Sequence, residues 1–302
     1  SSYVETAPVE KLPPPEAPTA PEAQPLPAAP SASAGQMTII STELGETPLS
    51  QPRGIAIGPN GRVYLADTGN HRLLVLDQEA GLLSQVNGGA EPFDDLSEVA
   101  VDNQGRVYAL DAGRARLSLF DAEGEYLSEV PVPPTYTGRS RGMFIDNQNH
   151  LWLANTPASR VVALDLAGNV LTEFPVSAGV PAQPVDVAVT PDGNIYVTDV
   201  ILDQLIRFGP DGQQRQSWTI PHSTSIDGAH LALDAVGGLY LTVPEEGRVL
   251  HLDPNGQAVE HWELRQPDGR KMKPVGVAVD AEGQVWVVDS AGGNLVVLTA
   301  AE

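Results

Sequence analysis

The chain has 302 residues, no cysteine, and 39 acidic against 17 basic side chains, a formal net charge of −22. Without thiols, disulfides and thiolate metal centres are excluded, and the sequence contains no apolar run of about 18 residues that would span a membrane as a helix. A surface this acidic repels phosphate backbones, which sets the reading against nucleic acid.

Residues 1–35 hold nine prolines, Pro8, Pro13, Pro14, Pro15, Pro18, Pro21, Pro25, Pro27 and Pro30, with many alanines and almost nothing able to build a core. Such a segment favours extended polyproline II and reads as a stalk or linker, the ordinary alternative being a disordered tail. If it docks, its reach is long enough to lie on a neighbouring subunit and drive self-association. The chain starts at Ser1 with neither an initiator Met nor a leader pattern, and so reads as a processed or excised piece. Met37-Thr38-Ile39-Ile40-Ser41-Thr42 then alternates like an edge strand.

From residue 54 onward one pattern recurs. Copies start at Gly54, Glu98, Gly142, Asp186, His230 and Gly276, four intervals of 44 residues and one of 46. A period in this range means stacked supersecondary units. Each copy opens with an apolar run such as Ile55-Ala56-Ile57 or Val99-Ala100-Val101. Gly61, Gly105, Asn149, Gly193, Gly237 and Gly283 follow at a fixed offset, then Tyr64, Tyr108, Trp152, Tyr196, Tyr240 and Trp286. Glycine or asparagine at that offset suits a hairpin turn with positive φ. A third strand (Leu73–Leu76 in the first copy) and a more polar fourth (Tyr126–Val130 in the second) complete each unit. Consecutive apolar residues in the strands require cover on both faces, which four-stranded blades around an axis provide. The expected fold is therefore all-β: a six-bladed β-propeller over 36–302, preceded by the Pro-rich segment 1–35. The sixth copy ends at its third strand, Leu295–Thr299, so the strand at 37–42 is expected to supply the missing fourth and close the ring.

The stretch Val63-Tyr64-Leu65-Ala66-Asp67-Thr68-Gly69-Asn70-His71-Arg72, after Gly54-Ile55-Ala56-Ile57, resembles an NHL repeat. The other copies are degenerate: Asp111, Asn155, Asp199 and Asp289 keep the polar residue after the second strand, and Arg116, Arg160 and Arg248 keep the arginine. The resemblance implies the propeller. It does not choose a function, because propellers of this kind serve as enzymes, RNA-binding modules and adhesion domains.

Twelve of the 17 cations fall in loops at the face where the first strands begin. Arg53, Arg139, Arg141, Arg265, Arg270, Lys271 and Lys273 lie in the loops leading into first strands, and the remaining five in or beside the second-to-third loops. The second group reads as ties between the repeat arginine and the repeat aspartate, such as Asp67, from blade to blade. Arg53, Arg139, Arg141, Arg270, Lys271 and Lys273 are the candidate binding set for a protein or acidic ligand.

Where three copies keep glycine at the first position, the others place Glu98, Asp186 and His230 near the channel mouth. Two carboxylates and an imidazole make a candidate metal site for Ca²⁺ or, less well, Zn²⁺. The related six-bladed lactonases are similar in having carboxylate-bound calcium in the channel, although the rest of their pattern is not matched. The letters Gly-x-Ser-x-Gly occur once, at Gly138-Arg139-Ser140-Arg141-Gly142, but without the strand-to-helix elbow that the nucleophile motif requires, and no His-Glu-x-x-His or phosphate-cradling motif occurs. The sequence reads as a non-catalytic binding or assembly module, extracellular or in the cell envelope, that presents this face to a ligand or neighbouring subunit and requires no cofactor. A metal-dependent hydrolase or lactonase at the channel mouth is the alternative.

Overall fold

A computed structural model describes residues 21–28, 35–40, 44, 47–223 and 227–300. Its strands form six sheets, each the blade of a propeller. The first blade runs from the axis outward as Ile55–Ile57, Val63–Asp67, Arg72–Leu76 and Leu82–Val86. The second is Leu96–Val101, Val107–Asp111, Arg116–Phe120 and Tyr126–Val130. Blades three to six repeat the arrangement from inner strands Met143–Ile145, Pro184–Val189, Leu231–Leu233 and Pro274–Val279. Every inner strand packs beside the next, and the sixth packs beside the first, so the ring is continuous.

The inner hairpins turn where the spacing predicts. Asn149 has φ +60° and Gly61 φ +77°, the left-handed region that a tight turn needs. An aspartate before the turn holds it shut: Asp102 Oδ1 accepts from the N–H groups of Gln104 and Arg106, and Asp146 Oδ1 from those of Gln148 and His150. The second Asp146 oxygen accepts from Trp152 Nε1 at 2.9 Å, so the repeated aromatic is satisfied as well as buried. Tyr64 is fully buried and its hydroxyl donates across to the Ala122 carbonyl of the next blade, 3.0 Å away.

Second strands such as Val63–Asp67 and Ile195–Asp199 are buried along their whole length. Their side chains alternate between the faces, so each blade feeds the two apolar layers flanking it. Six such layers, one between each pair of neighbouring blades, make up the core. Burying one Leu, Ile or Val in them contributes about 1.5–3 kcal/mol.

Met37–Ile40 pairs antiparallel with Asn294–Leu298 as the outer strand of blade six, with Ile39 opposite Val296 and Ile40 opposite Leu295. Ile40 packs into the layer between blades six and one, and Ile39 into the layer between five and six. Ser41 and Thr42 lie outside the described residues. Of the Pro-rich segment, residues 1–20 and 29–34 are likewise outside them, whereas 21–28 lie on the protein's own propeller. Gln24 and Pro25 pair in parallel with Trp218 and Thr219 on the outer edge of blade four, and Leu26 packs against the apolar layer beneath. An edge tolerates proline, which has no N–H to give to a central ladder. Among the described residues the sole α-helical piece is one turn, Pro134–Thr137, in the loop between blades two and three.

Candidate functional site in the propeller channel

The inner strands of all six blades enclose a cavity of about 180 Å³ along the axis, walled by Ile55, Val99, Phe144, Leu231 and their neighbours. Glu98, Asp186 and His230 line it from blades two, four and five, and all three are buried. Each stands within three residues of the start of its inner strand, and the equivalent places in the other blades are Gly54, Gly142 and Gly276. Two of these glycines provide room for the carboxylates. A Cβ on Gly54 would collide with the Glu98 carboxylate and backbone, and one on Gly142 with Asp186. The alternation of glycine and acid along the repeat is thus a packing requirement.

The three side chains offer one ligand atom each within 4.8 Å of one another. His230 Nδ1 is 3.4 Å from Asp186 Oδ2 and 3.7 Å from Glu98 Oε2. Asp186 is held at both oxygens, Oδ1 accepting from Val187 N–H and Oδ2 from Leu231 N–H, each at 2.8 Å. Glu98 receives one N–H, from Val99 at 2.9 Å. Burial, and then the charge of Asp186, push the Glu98 carboxyl well above its ordinary pKa; the Val99 N–H opposes them. His230 is fixed through its backbone, whose N–H donates to Thr242 Oγ1 at 2.7 Å while its carbonyl accepts from Thr242 N–H. Two carboxylates and an imidazole on rigid strands have the donor chemistry of a divalent-cation site with open positions left for water or ligand.

A second charged layer lies in the loops that lead into these strands. Arg53, directly before Gly54, donates from Nη1 to Asp95 Oδ1 at 2.8 Å and pairs through Nε with Asp227 Oδ1 at 3.0 Å. Arg141, directly before Gly142, is within electrostatic reach of Arg53, Asp95 and Asp227. Burial first, then the charge of Arg53, lower the pKa of Arg141, and the two aspartates act against them. The other predicted basic residues do not join this layer. Arg139 is exposed, its N–H bonded to the Ala112 carbonyl. Arg270 is exposed and pairs with Asp268 at 2.7 Å in its own turn. Lys271 is exposed on the same hairpin, and Lys273, half-buried, donates its backbone N–H to Asp289 Oδ1. Asp95 was not among the candidate residues. Its signal was an offset, for it precedes Glu98 by three residues as Asp227 precedes His230.

The repeat arginines act within a blade rather than from blade to blade. Arg72 Nε bonds Asp67 Oδ2 at 2.6 Å, and its Nη2 reaches the Thr47 carbonyl at 2.8 Å. Arg116 similarly joins Asp111 to the carbonyls of Glu91 and Pro92. Each fastens its blade's second strand to the loop that brings the chain into that blade. His71 is exposed and its Nδ1 lies 2.6 Å from the Asp94 carbonyl, a contact of the same loop. His222, in the loop that leads to His230, pairs with Asp203 at 2.9 Å on the exposed surface.

Comparison with known proteins agrees with this architecture. The NHL repeat family matches at residues 49–76, and six sheets recur with the period of that unit. The protein is a six-bladed β-propeller with an NHL repeat in its first blade. No curated protein matches its sequence at a significant level. Among solved structures, virginiamycin B lyase from Staphylococcus aureus is 14% identical, over 88% of this chain and 100% of that one, with a TM-score of 0.67. A gluconolactonase from Xanthomonas campestris is 17% identical over 94% and 99% of the two chains, with a TM-score of 0.64. A propeller in the nidogen/laminin complex is 12% identical over 78% and 87%, with a TM-score of 0.61. At these identities the likeness concerns the fold alone.

Proposed function

We propose that this propeller is a binding protein for a small ligand, with its working site at the channel rim, where Glu98, Asp186 and His230 hold a divalent cation. The observation that carries the reading is the convergence of three ligating side chains from three blades within 4.8 Å, at a repeat position that is otherwise glycine. Burying two carboxylates beside one imidazole is costly unless a cation offsets their charge. When bound, the cation would supply a Lewis-acidic contact for an oxygen of the ligand. The chain's own part is to fix Asp186 with two N–H donors and to exclude bulk water with the apolar channel wall. An extracellular or envelope location, inferred from the acidic surface and absence of cysteine, is part of the same proposal.

A second reading, hydrolysis of a lactone or ester at this site, rests on one observation. The two carboxyls have diverging environments, Glu98 favouring its proton through burial while Asp186 is clamped as an acceptor. Such a pair separates acid from base roles. The lyase and the gluconolactonase show that the six-bladed fold accommodates enzymes.

The test is titration of chelator-treated protein with Ca²⁺, Mn²⁺ and Zn²⁺ by calorimetry and thermal melting. One equivalent of at least one ion should bind, and at a hundredfold excess over Kd stabilise by about 2.7 kcal/mol. Glu98→Gln and Asp186→Asn should abolish this. Absence of binding for all three ions overturns the cation site. A panel of lactones and esters, assayed with the loaded protein, decides between the binding and hydrolytic readings.

A further inference from the structure

The layer of charges outside the cation cluster has a feature that blade-to-blade packing does not require. Arg53 belongs to blade one, Asp95 to the loop entering blade two, and Asp227 to the loop entering blade five. Blades one and five are separated by blade six, so the Arg53–Asp227 pair at 3.0 Å reaches past a whole blade. Arg141 comes from blade three and feels the other three charges. Four blades therefore send charged side chains to one place. Each of the four residues stands one or three positions before the first position of its repeat, at Gly54, Glu98, Gly142 or His230.

The two arginines are not equivalent. Arg53 has a carboxylate on each side, whereas Arg141 forms no ion pair among the described residues, and its Nη1 is buried without a hydrogen-bond partner. A guanidinium group presents a planar fork of donors that matches a carboxylate in two-point contact. The pairs made by Arg53 are partly exposed, with Asp95 at 36% and Asp227 at 21% side-chain accessibility. Arg53 itself is 17% accessible, and a ligand carboxylate offers its guanidinium the same charge-assisted contact that either aspartate does.

We propose that Arg141 and Arg53 form the recognition site for a small carboxylate-bearing ligand, with Asp95 and Asp227 as internal competitors that hold the mouth closed until the ligand carboxylate replaces them. The ligand carboxylate takes the unmet donors of Arg141 and draws Arg53 away from Asp227. This opens the passage to Glu98, Asp186 and His230 beneath. The inference names the ligand class for the channel reading above and relies on the rim being the ligand site, but not on the cation.

The experiment uses the whole chain, freed of metal with chelator, with lactate as the carboxylate probe and lactamide as its neutral isostere. Binding is followed by ligand-observed NMR and calorimetry. Lactate should bind and lactamide should bind at least tenfold more weakly. Arg141→Met should lose at least tenfold in lactate affinity, and Arg141→Lys should recover part of it. Asp95→Asn and Asp227→Asn should move the other way, tightening lactate binding about three- to tenfold, which damage to the fold would not do. Equal binding of lactate and lactamide, or aspartate variants that weaken lactate binding, overturns the proposal. Separate titrations of the chelator-treated protein with Ca²⁺, Mn²⁺ and Zn²⁺ and with lactate distinguish the two readings, since lactate should bind whether or not an ion does. A protein that binds the cation but not lactate refutes this inference alone.

Discussion

Replacing Arg72 by methionine tests the account of how a blade is fastened to the loop that precedes it. The Arg72 side chain is 3% exposed and the Asp67 carboxylate beside it 0%. The change removes the 2.6 Å bond to Asp67 and the bonds to Gln85 Oε1 and to the Thr47 and Leu44 carbonyls. Methionine keeps most of the apolar stem, so the loss is mainly electrostatic. Removing one partner of a buried pair costs about 3–5 kcal/mol because the other charge is left behind. Here Asp67 retains the Ser50 N–H and the Asn70 amide, which favours the lower end, about 3 kcal/mol. For a domain of this size that is a fall in Tm of roughly 6–12 °C. Asp67→Asn added to Arg72→Met should restore about 1–2 kcal/mol by removing the stranded charge. Blade three already carries Asn155 at that place, its amide bonded to the Thr135 carbonyl. Urea and thermal unfolding of the parent, the single and the double variant provide the comparison. A loss under about 1 kcal/mol for Arg72→Met, or a double variant no more stable than it, would refute the reasoning.

Closure and pH give two further expectations. Ile39→Asp with Ile40→Asp puts a carboxylate into each apolar layer flanking blade six and should cost about 3 kcal/mol or more; an unchanged melting temperature would contradict closure by this strand. Asp199 has one oxygen on the Ile201 and Leu202 N–H groups and the other buried without a partner, because its repeat arginine is replaced by Gln204. Burial raises its pKa in the folded state, so the folded protein holds this proton more tightly and ionisation costs stability. The cost is absent below the unfolded value of about 3.9 and complete once pH exceeds the folded value. Asp199→Asn should therefore raise Tm at pH 7 and leave it unchanged near pH 3; a gain that persists in acid would count against burial as its cause.

The fold was legible because its signals are local and repeated. A turn glycine, an aromatic and an apolar run return in register, and a missing fourth strand at one end finds its complement at the other. Glu98, Asp186 and His230 were legible for the same reason, since the period places them at one height on the channel. The Arg53 contacts were not, because the arginine reaches a blade that is not its neighbour and no sequence spacing encodes that crossing. Arg270 was misleading in the opposite way: its partner Asp268 is two residues away in the same turn, which the Pro-Asp-Gly-Arg stretch already contains. Gln24 and Pro25 gave no signal at all. Two residues of pairing are too short to set up a period, and the contact is decided by the exposed edge of blade four.

The order in which the chain meets its own propeller sets how the ring responds to force. The closing strand is antiparallel to the last one, with Met37 opposite Leu298, so its upstream end and the downstream end of its partner lie together. Tension applied across those two ends peels the clasp one residue pair at a time, beginning at Met37, rather than shearing all the pairs at once. Upstream of the clasp, Gln24 and Pro25 grip blade four beside Trp218, with Leu26 seated in the layer below. A pull arriving along the Pro-rich segment is taken up by that grip before any load reaches Met37. The strap thus acts as a strain relief, giving way first and leaving the ring shut.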